Sequence, residues 1–153
     1  MREYSGGPAW LFALPRKVLM PPAIITSAAA ATRITTKRGV TRGPSPGVGR
    51  SAWVKHRGTV WTVGVPAGRR RKADIRAQTA LTLRLIDERL AQAGTDKGKI
   101  IEATVFLTNM REFKGFDEEW RAWLPEGGAS RATVGVKRLA NNDKIEIKVT
   151  AAA

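Results

Sequence analysis

The chain has 153 residues, enough for one domain and a tail but not for two separate cores. It has no cysteine and a single histidine, His56, which removes disulfides, thiolate metal sites, histidine metal clusters and a Ser/His/Asp triad. The net charge of +14 points towards nucleic acid only until it is divided along the chain, because residues 1–50 hold eight Lys/Arg against one acid and residues 51–153 hold nineteen against twelve.

Per residue, the positive excess sits in the first third, and a basic arm attracts phosphate without reading sequence. Nucleic acid is therefore not the expected partner. A membrane is not expected either: crossing a bilayer takes roughly twenty apolar residues, and the best run, 23–32, is short and interrupted by Thr26 and Ser27.

From Met1 to about Gly49 there is no helical or strand period, and Gly, Pro, Ser, Ala and Thr dominate, as in Gly6-Gly7-Pro8, Pro21-Pro22 and Gly43-Pro44. Such a segment buries too little apolar surface to offset its ordering entropy. Residues 1–46 are accordingly expected to be a disordered basic extension and residues 47–153 the folded domain. The extension has the make-up of a targeting leader, but a stretch upstream of a later start such as Met20 would look the same. The expected location is the cytoplasm, or the mitochondrial matrix if the extension is a transit peptide.

Residues 52–56 and 59–63 are β-rich runs separated by Arg57-Gly58, a hairpin turn. Asp74 caps a helix in which Ile75, Thr79, Leu83, Ile86, Leu90 and Ala93 recur every three or four residues, and Gly94 marks its end. Residues 99–108 alternate, with Ile101, Ala103, Val105 and Leu107 on one face. Asn109 with Glu112 three residues on opens a second helix through Phe113, Phe116, Trp120 and Leu124, which Pro125 and Gly127-Gly128 terminate. Residues 131–137 and 144–150 are two further alternating strands. The order is β-β-α-β-α-β-β, an α+β fold with two helices packed on one face of a mixed sheet.

If Ala132, Val134, Val136, Ile145, Ile147 and Val149 face the helices, alternation sends Arg131, Thr133, Gly135, Glu146 and Lys148 to the opposite face. There the Arg131 fork could take a small carboxylate bidentately and Glu146 could orient a water. The plainer alternative is a solvated cross-strand ion pair worth under about 1 kcal/mol, and pattern alone favours it. Arg69-Arg70-Arg71-Lys72 reads as a basic solvated loop rather than a polymer-binding patch, and Gly47-Val48-Gly49 lacks the Lys-Ser/Thr of a phosphate loop. The helix aromatics Phe113, Phe116, Trp120 and Trp123 read as core or subunit contact, and His56 as a polar surface or interface residue.

One ordered set of motifs runs through most of the chain: Gly64-Val65-Pro66, then 74–79 (DIRAQT), 90–96 (LAQAGTD), 103–110 (ATVFLTNM) with Phe113, Trp120 and Trp123, then 131–134 (RATV) and 145–147 (IEI). In order and spacing it resembles the RidA (YjgF-type) reactive-intermediate deaminase family, particularly its YoaB-like subgroup, over about residues 47–153. The resemblance implies a chorismate-mutase-like fold, a homotrimer, a small-molecule site in each cleft between neighbours, and hydrolysis of 2-imino or enamino acids to 2-keto acids and ammonia without a cofactor.

Carried over by position, Arg131 matches the arginine that clamps the substrate carboxylate, Glu146 the glutamate that supports the attacking water, and Gly64 a glycine that lets backbone approach the ligand. Four positions depart from the family's pattern. Val63 stands where a serine precedes that glycine, Thr133 where a cysteine is frequent, Asp117 where the second helix carries an asparagine, and Arg50 where the N-terminal strand carries an aromatic. A carboxylate at 117 would oppose an anionic substrate unless Arg50 or another cation offsets it. Two readings from other classes compete with the deaminase: a non-catalytic binder of small carboxylates, and an RNA-binding or RNA-cleaving protein, which the single histidine disfavours.

Overall fold

A computed structural model describes residues 34–68, 72–125 and 127–153. Within these, seven strands and two helices follow the order β1 (Thr35–Lys37), β2 (Val40–Arg42), β3 (Trp53–His56), β4 (Thr59–Gly64), α1 (Ile75–Gln92), β5 (Ile100–Leu107), α2 (Phe113–Trp123), β6 (Ser130–Gly135) and β7 (Ile145–Ala152). From β3 onward this is the order expected from sequence. The strands form one sheet, β1-β2-β3-β4-β7-β5-β6, antiparallel at every pair except β5 with β6. That parallel pair requires the crossover that α2 supplies.

The elements form for local reasons. Asp74 accepts the Ala77 N–H at 2.9 Å, satisfying a first-turn donor of α1. At the other end Thr95 N donates to Leu90 O and Gly94 N to Ala91 O, with Gly94 at φ 80, the paired closure that glycine permits. Arg57 and Gly58 both take positive φ between β3 and β4, the turn whose twist matches its flanking strands. Asn109 accepts from Arg111 N at 3.1 Å, but it caps a short 3-10 turn (Met110–Glu112), and α2 starts only at Phe113.

Both helices cover one face of the sheet. Ile75, Leu83, Ile86 and Leu90 of α1 and Phe116 and Trp120 of α2 pack over Val60, Ala103, Val105, Leu107, Ile145, Ile147 and Val149, all buried. Two polar α1 residues inside this layer are satisfied by their own helix: Thr79 and Thr82 hydroxyls donate to the Ile75 and Gln78 carbonyls at 2.7 and 2.8 Å. The outer sheet face stays open, with Trp61, Val63 and Val134 each roughly two-fifths exposed.

Two features differ from the sequence expectation. Part of the segment assigned to a disordered extension is ordered: residues 35–42 are the hairpin β1-β2, turned by Arg38 and Gly39 at positive φ and paired to the edge of β3. Strands of three residues are too short to show a period, so pattern could not reveal them. Residues 1–33 of that extension lie outside the described residues, as do Arg69, Arg70 and Arg71. In β5, the register slips between Ile100 and Glu102, which turns Ile100 inward and leaves Ile101, expected on the buried face, 55% exposed.

Candidate functional site

Sheet register decides where the expected site residues point. Arg131, Thr133 and Gly135 lie opposite Ala103, Val105 and Leu107, which are buried under the helices, whereas Val134 lies opposite Phe106, which in turn pairs with Glu146. Arg131 and Glu146 therefore stand on opposite faces of the sheet. This corrects the expectation that both share the outer face. Strand β6 is an edge strand, and its Ala132 and Val134 go outward because the aromatic side of α2 takes the guanidinium instead.

The Arg131 side chain is held from three directions. Its Nη2 donates to Asp117 Oδ1 at 2.7 Å, and the guanidinium carbon lies 5.0, 5.2 and 6.0 Å from the ring centroids of Phe116, Trp120 and Phe113. Such cation–π contacts contribute about 0.5–2 kcal/mol each and fix the plane of the fork. Asp117 is shared with Arg121, whose Nε lies 2.7 Å from Oδ2. Burial by itself raises the Asp117 carboxyl, but the hydrogen bond and charge of Arg131, with Arg121, outweigh it and hold the group below the usual carboxylate range. Arg131 keeps 20% of its side chain accessible at the sheet edge, with the half-buried Thr133 two residues along the same face.

Glu146 belongs to a different place, a cleft of about 660 Å³ lined by Arg50, Val63, Val65, Leu85, Arg89 and Glu146, among others. Burial and then the charge of Asp143 raise the Glu146 carboxyl above its ordinary value, so it keeps its proton to higher pH than a free glutamate. Asp143 was not singled out from sequence. Only 3% exposed, it accepts the Gly68 N–H at 3.0 Å and so ties the β4-α1 loop to the loop before β7. Buried Gln78 does the same from α1, accepting Lys144 N at 2.9 Å. The Asn141-Asn142-Asp143 run was the available signal for the first. Gln78 had none, since an amide on a helix face reveals no distant partner.

The remaining expected residues divide between these places. Arg50 joins Glu146 in the cleft, and Asp117 and Thr133 join Arg131. Gly64 joins neither: a Cβ there would lie 2.8 Å from Ile86 Cγ1 and 2.9 Å from the Thr82 carbonyl oxygen, so glycine is required for α1 to sit against β4. Its neighbours Val63 and Val65 line the cleft on either side of it. Val63, in the serine position, accepts an Arg89 guanidinium hydrogen bond at its carbonyl. His56 Nδ1 lies 3.0 Å from the Gly39 carbonyl in the hairpin region, outside the cleft lining.

The family model for Endoribonuclease L-PSP matches residues 44–153. The chain belongs to that family. This is the RidA/YjgF group that its motif order resembles. Within the L-PSP family, YoaB of Escherichia coli K12 is 38% identical over 100 residues, covering 65% of this chain and 86% of its own. TdcF of the same organism, named as a candidate reactive intermediate deaminase, is 33% identical over 82 residues, covering 52% of this chain and 64% of its own. The crystal structure of Escherichia coli TdcF with bound serine superposes with a TM-score of 0.66 at 27% identity, covering 78% of this chain and 97% of that one. The Escherichia coli YjgF structure gives 0.64 at 25% identity, covering 71% and 91%. The L-PSP match begins in the β2-β3 loop, so hairpin β1-β2 precedes it. Among the described residues no helix is long and apolar enough to cross a membrane.

Proposed function

We propose that this chain hydrolyses reactive 2-imino and enamino acids to 2-keto acids and ammonia, at sites shared between neighbours of a homotrimer. The observation that carries the reading is the placement of Arg131 and Glu146 on opposite sheet faces. One small substrate cannot touch both within a single chain, but a neighbouring copy that brings its Arg131 edge to the Glu146 cleft unites them. The open outer face, with Trp61 and Val63 of β4 and Val134 of β6 part-exposed on either side of the polar Glu102, Thr104, Lys148 and Thr150, offers mixed apolar and polar surface for such an assembly.

In that arrangement Arg131 binds the substrate carboxylate through the donors that Asp117 leaves uncommitted. Glu146, whose raised pKa favours proton donation, gives a proton to the imine nitrogen when it holds one, which makes C2 electrophilic, and the resulting carboxylate takes a proton from the water that adds to C2. The carbinolamine then expels ammonia, leaving the keto acid. Imines of this kind already hydrolyse in water, so positioning and one proton relay suffice.

The test uses the full chain with a threonine dehydratase as the imine source, monitoring keto-acid release. Wild type should accelerate release and Arg131→Ala should not; equal rates with and without the protein would remove the claim. A non-catalytic binder of small carboxylates is the second reading, since the Asp117–Arg131 ion pair engages one guanidinium nitrogen and leaves other donors for a carboxylate whether or not chemistry follows. Keto-acid binding without acceleration would select it. RNA binding that survives deletion of residues 1–33 and weakens steeply with salt would select the nucleic-acid reading instead.

A further inference from the structure

The Glu146 cleft is lined by two arginines as well as by the carboxyls of Glu146 and Asp143. Arg50 lines it beside the apolar side chains of Val63, Val65 and Leu85, and Arg89 lines it as well, anchored on the Val63 carbonyl. No described carboxylate lies within ion-pair distance of Arg50.

The Arg50 loop is also preset. Gly43 N donates to Trp53 O and Ala52 N to Pro44 O, pinning both ends of the β2-β3 connection, while Arg50 N donates to Gly47 O at 3.1 Å. A Cβ on Gly47 would lie 2.6 Å from an Arg50 Nη2, so glycine there lets the guanidinium fold back over its own loop. Arg50 is exposed, but it stands on a backbone pinned by these hydrogen bonds, so an anion that it binds orders one side chain and not the loop as well.

Resting on the deaminase reading, we infer that the preferred substrate is a 2-imino acid bearing a second anionic group at the far end of its side chain, such as an imino dicarboxylate. Its C1 carboxylate goes to Arg131 of a neighbouring copy, its side chain lies along Val63, Val65 and Leu85, and its distal carboxylate meets Arg50 within the field of Arg89. Arg50 then sets specificity for the length and charge of the side chain.

The experiment compares 2-oxoglutarate with 2-oxobutyrate, the keto acids of an acidic and a neutral imine, by titration calorimetry on the full chain. Wild type should bind the dicarboxylate at least tenfold more tightly. Arg50→Ala should bring that ratio close to one, while Arg84→Ala, the same charge loss on an exposed α1 residue outside the cleft, should preserve it. A wild-type ratio near one, or equal falls in both variants, overturns the inference. Imines made by a glutamate oxidase and by an amino-acid oxidase acting on leucine separate this claim from the underlying one. Acceleration of both without preference overturns the dicarboxylate claim and leaves deaminase activity standing. Selective dicarboxylate binding without acceleration of either supports the Arg50 assignment and overturns the enzymatic reading.

Discussion

The two halves of the proposed site are built in different ways. Around Arg131 the fork is clamped by one carboxylate and three aromatic rings of a single helix, all within one chain, so its geometry does not await a partner. Around Glu146 the walls are loops, strand ends and the Leu85 and Arg89 side chains of α1, the loops tied by hydrogen bonds that Asp143 and Gln78 accept, and the carboxyl itself is governed by burial and a nearby like charge. A substrate clamp gains from rigidity, whereas a proton-transfer group gains from a shifted pKa, so the two environments suit the roles proposed for Arg131 and Glu146.

The largest expected effect comes from removing the rigid half. Arg131→Ala should abolish acceleration of imine hydrolysis, and Arg131→Lys should restore only a small part of it, because a point charge replaces a bidentate fork. Keto-acid release in the dehydratase-coupled assay reads both. Full activity in the lysine variant would show that charge alone suffices and that the aromatic bracing is not needed.

Next comes the other half. Glu146→Gln should lower the rate by roughly a hundredfold, the usual size of a lost acid/base group. The sign with pH follows from the raised carboxyl: the proton needed for donation is lost as pH climbs through the raised pKa, so wild-type activity falls there and the glutamine variant should lack that limb. Stability moves the same way. A carboxyl whose pKa is higher in the folded than in the unfolded state destabilises the fold as pH rises from the ordinary glutamate value through the raised one.

How far these halves could be read from the chain differs as well. Helix α1 and strand β7 were legible because their buried residues recur at fixed spacing and because Asp74 and Gly94 mark the helix ends. The face of β6 was not. On an edge strand, alternation of small and apolar residues does not identify the inner side, and what settled it was a long-range contact between Arg131 and rings of α2. The pairing of Arg131 with Asp117 was equally invisible, since nothing local joins them. Resemblance supplied the candidate residues; only register showed that Arg131 and Glu146 face opposite ways.

Packing that underlies the cleft should give a smaller effect. Gly64→Ala places a methyl group against Ile86 and the Thr82 backbone, so α1 must shift, at a cost of about 1–3 kcal/mol in urea unfolding. A neutral result would mean that α1 adapts freely and that Gly64 is needed for ligand instead. The smallest change expected is in Asp117→Asn, which keeps an acceptor for Arg131 but removes the competing charge. KM for a monocarboxylate imine should fall about threefold by partial relief of a screened interaction. The Asp117 contribution to stability, present above the ordinary aspartate pKa and lost as pH falls through its depressed value, should disappear from the acid unfolding profile.

Co-assembly of two inactive variants tests the shared site most directly. Arg131→Ala and Glu146→Gln chains, mixed by denaturation and joint refolding, should regain about a quarter of wild-type activity, the fraction of interfaces in random closed trimers that pair an intact Arg131 with a neighbour's intact Glu146. Mixed oligomers that form yet remain inactive, or wild-type chains that are fully active as monomers, would contradict it.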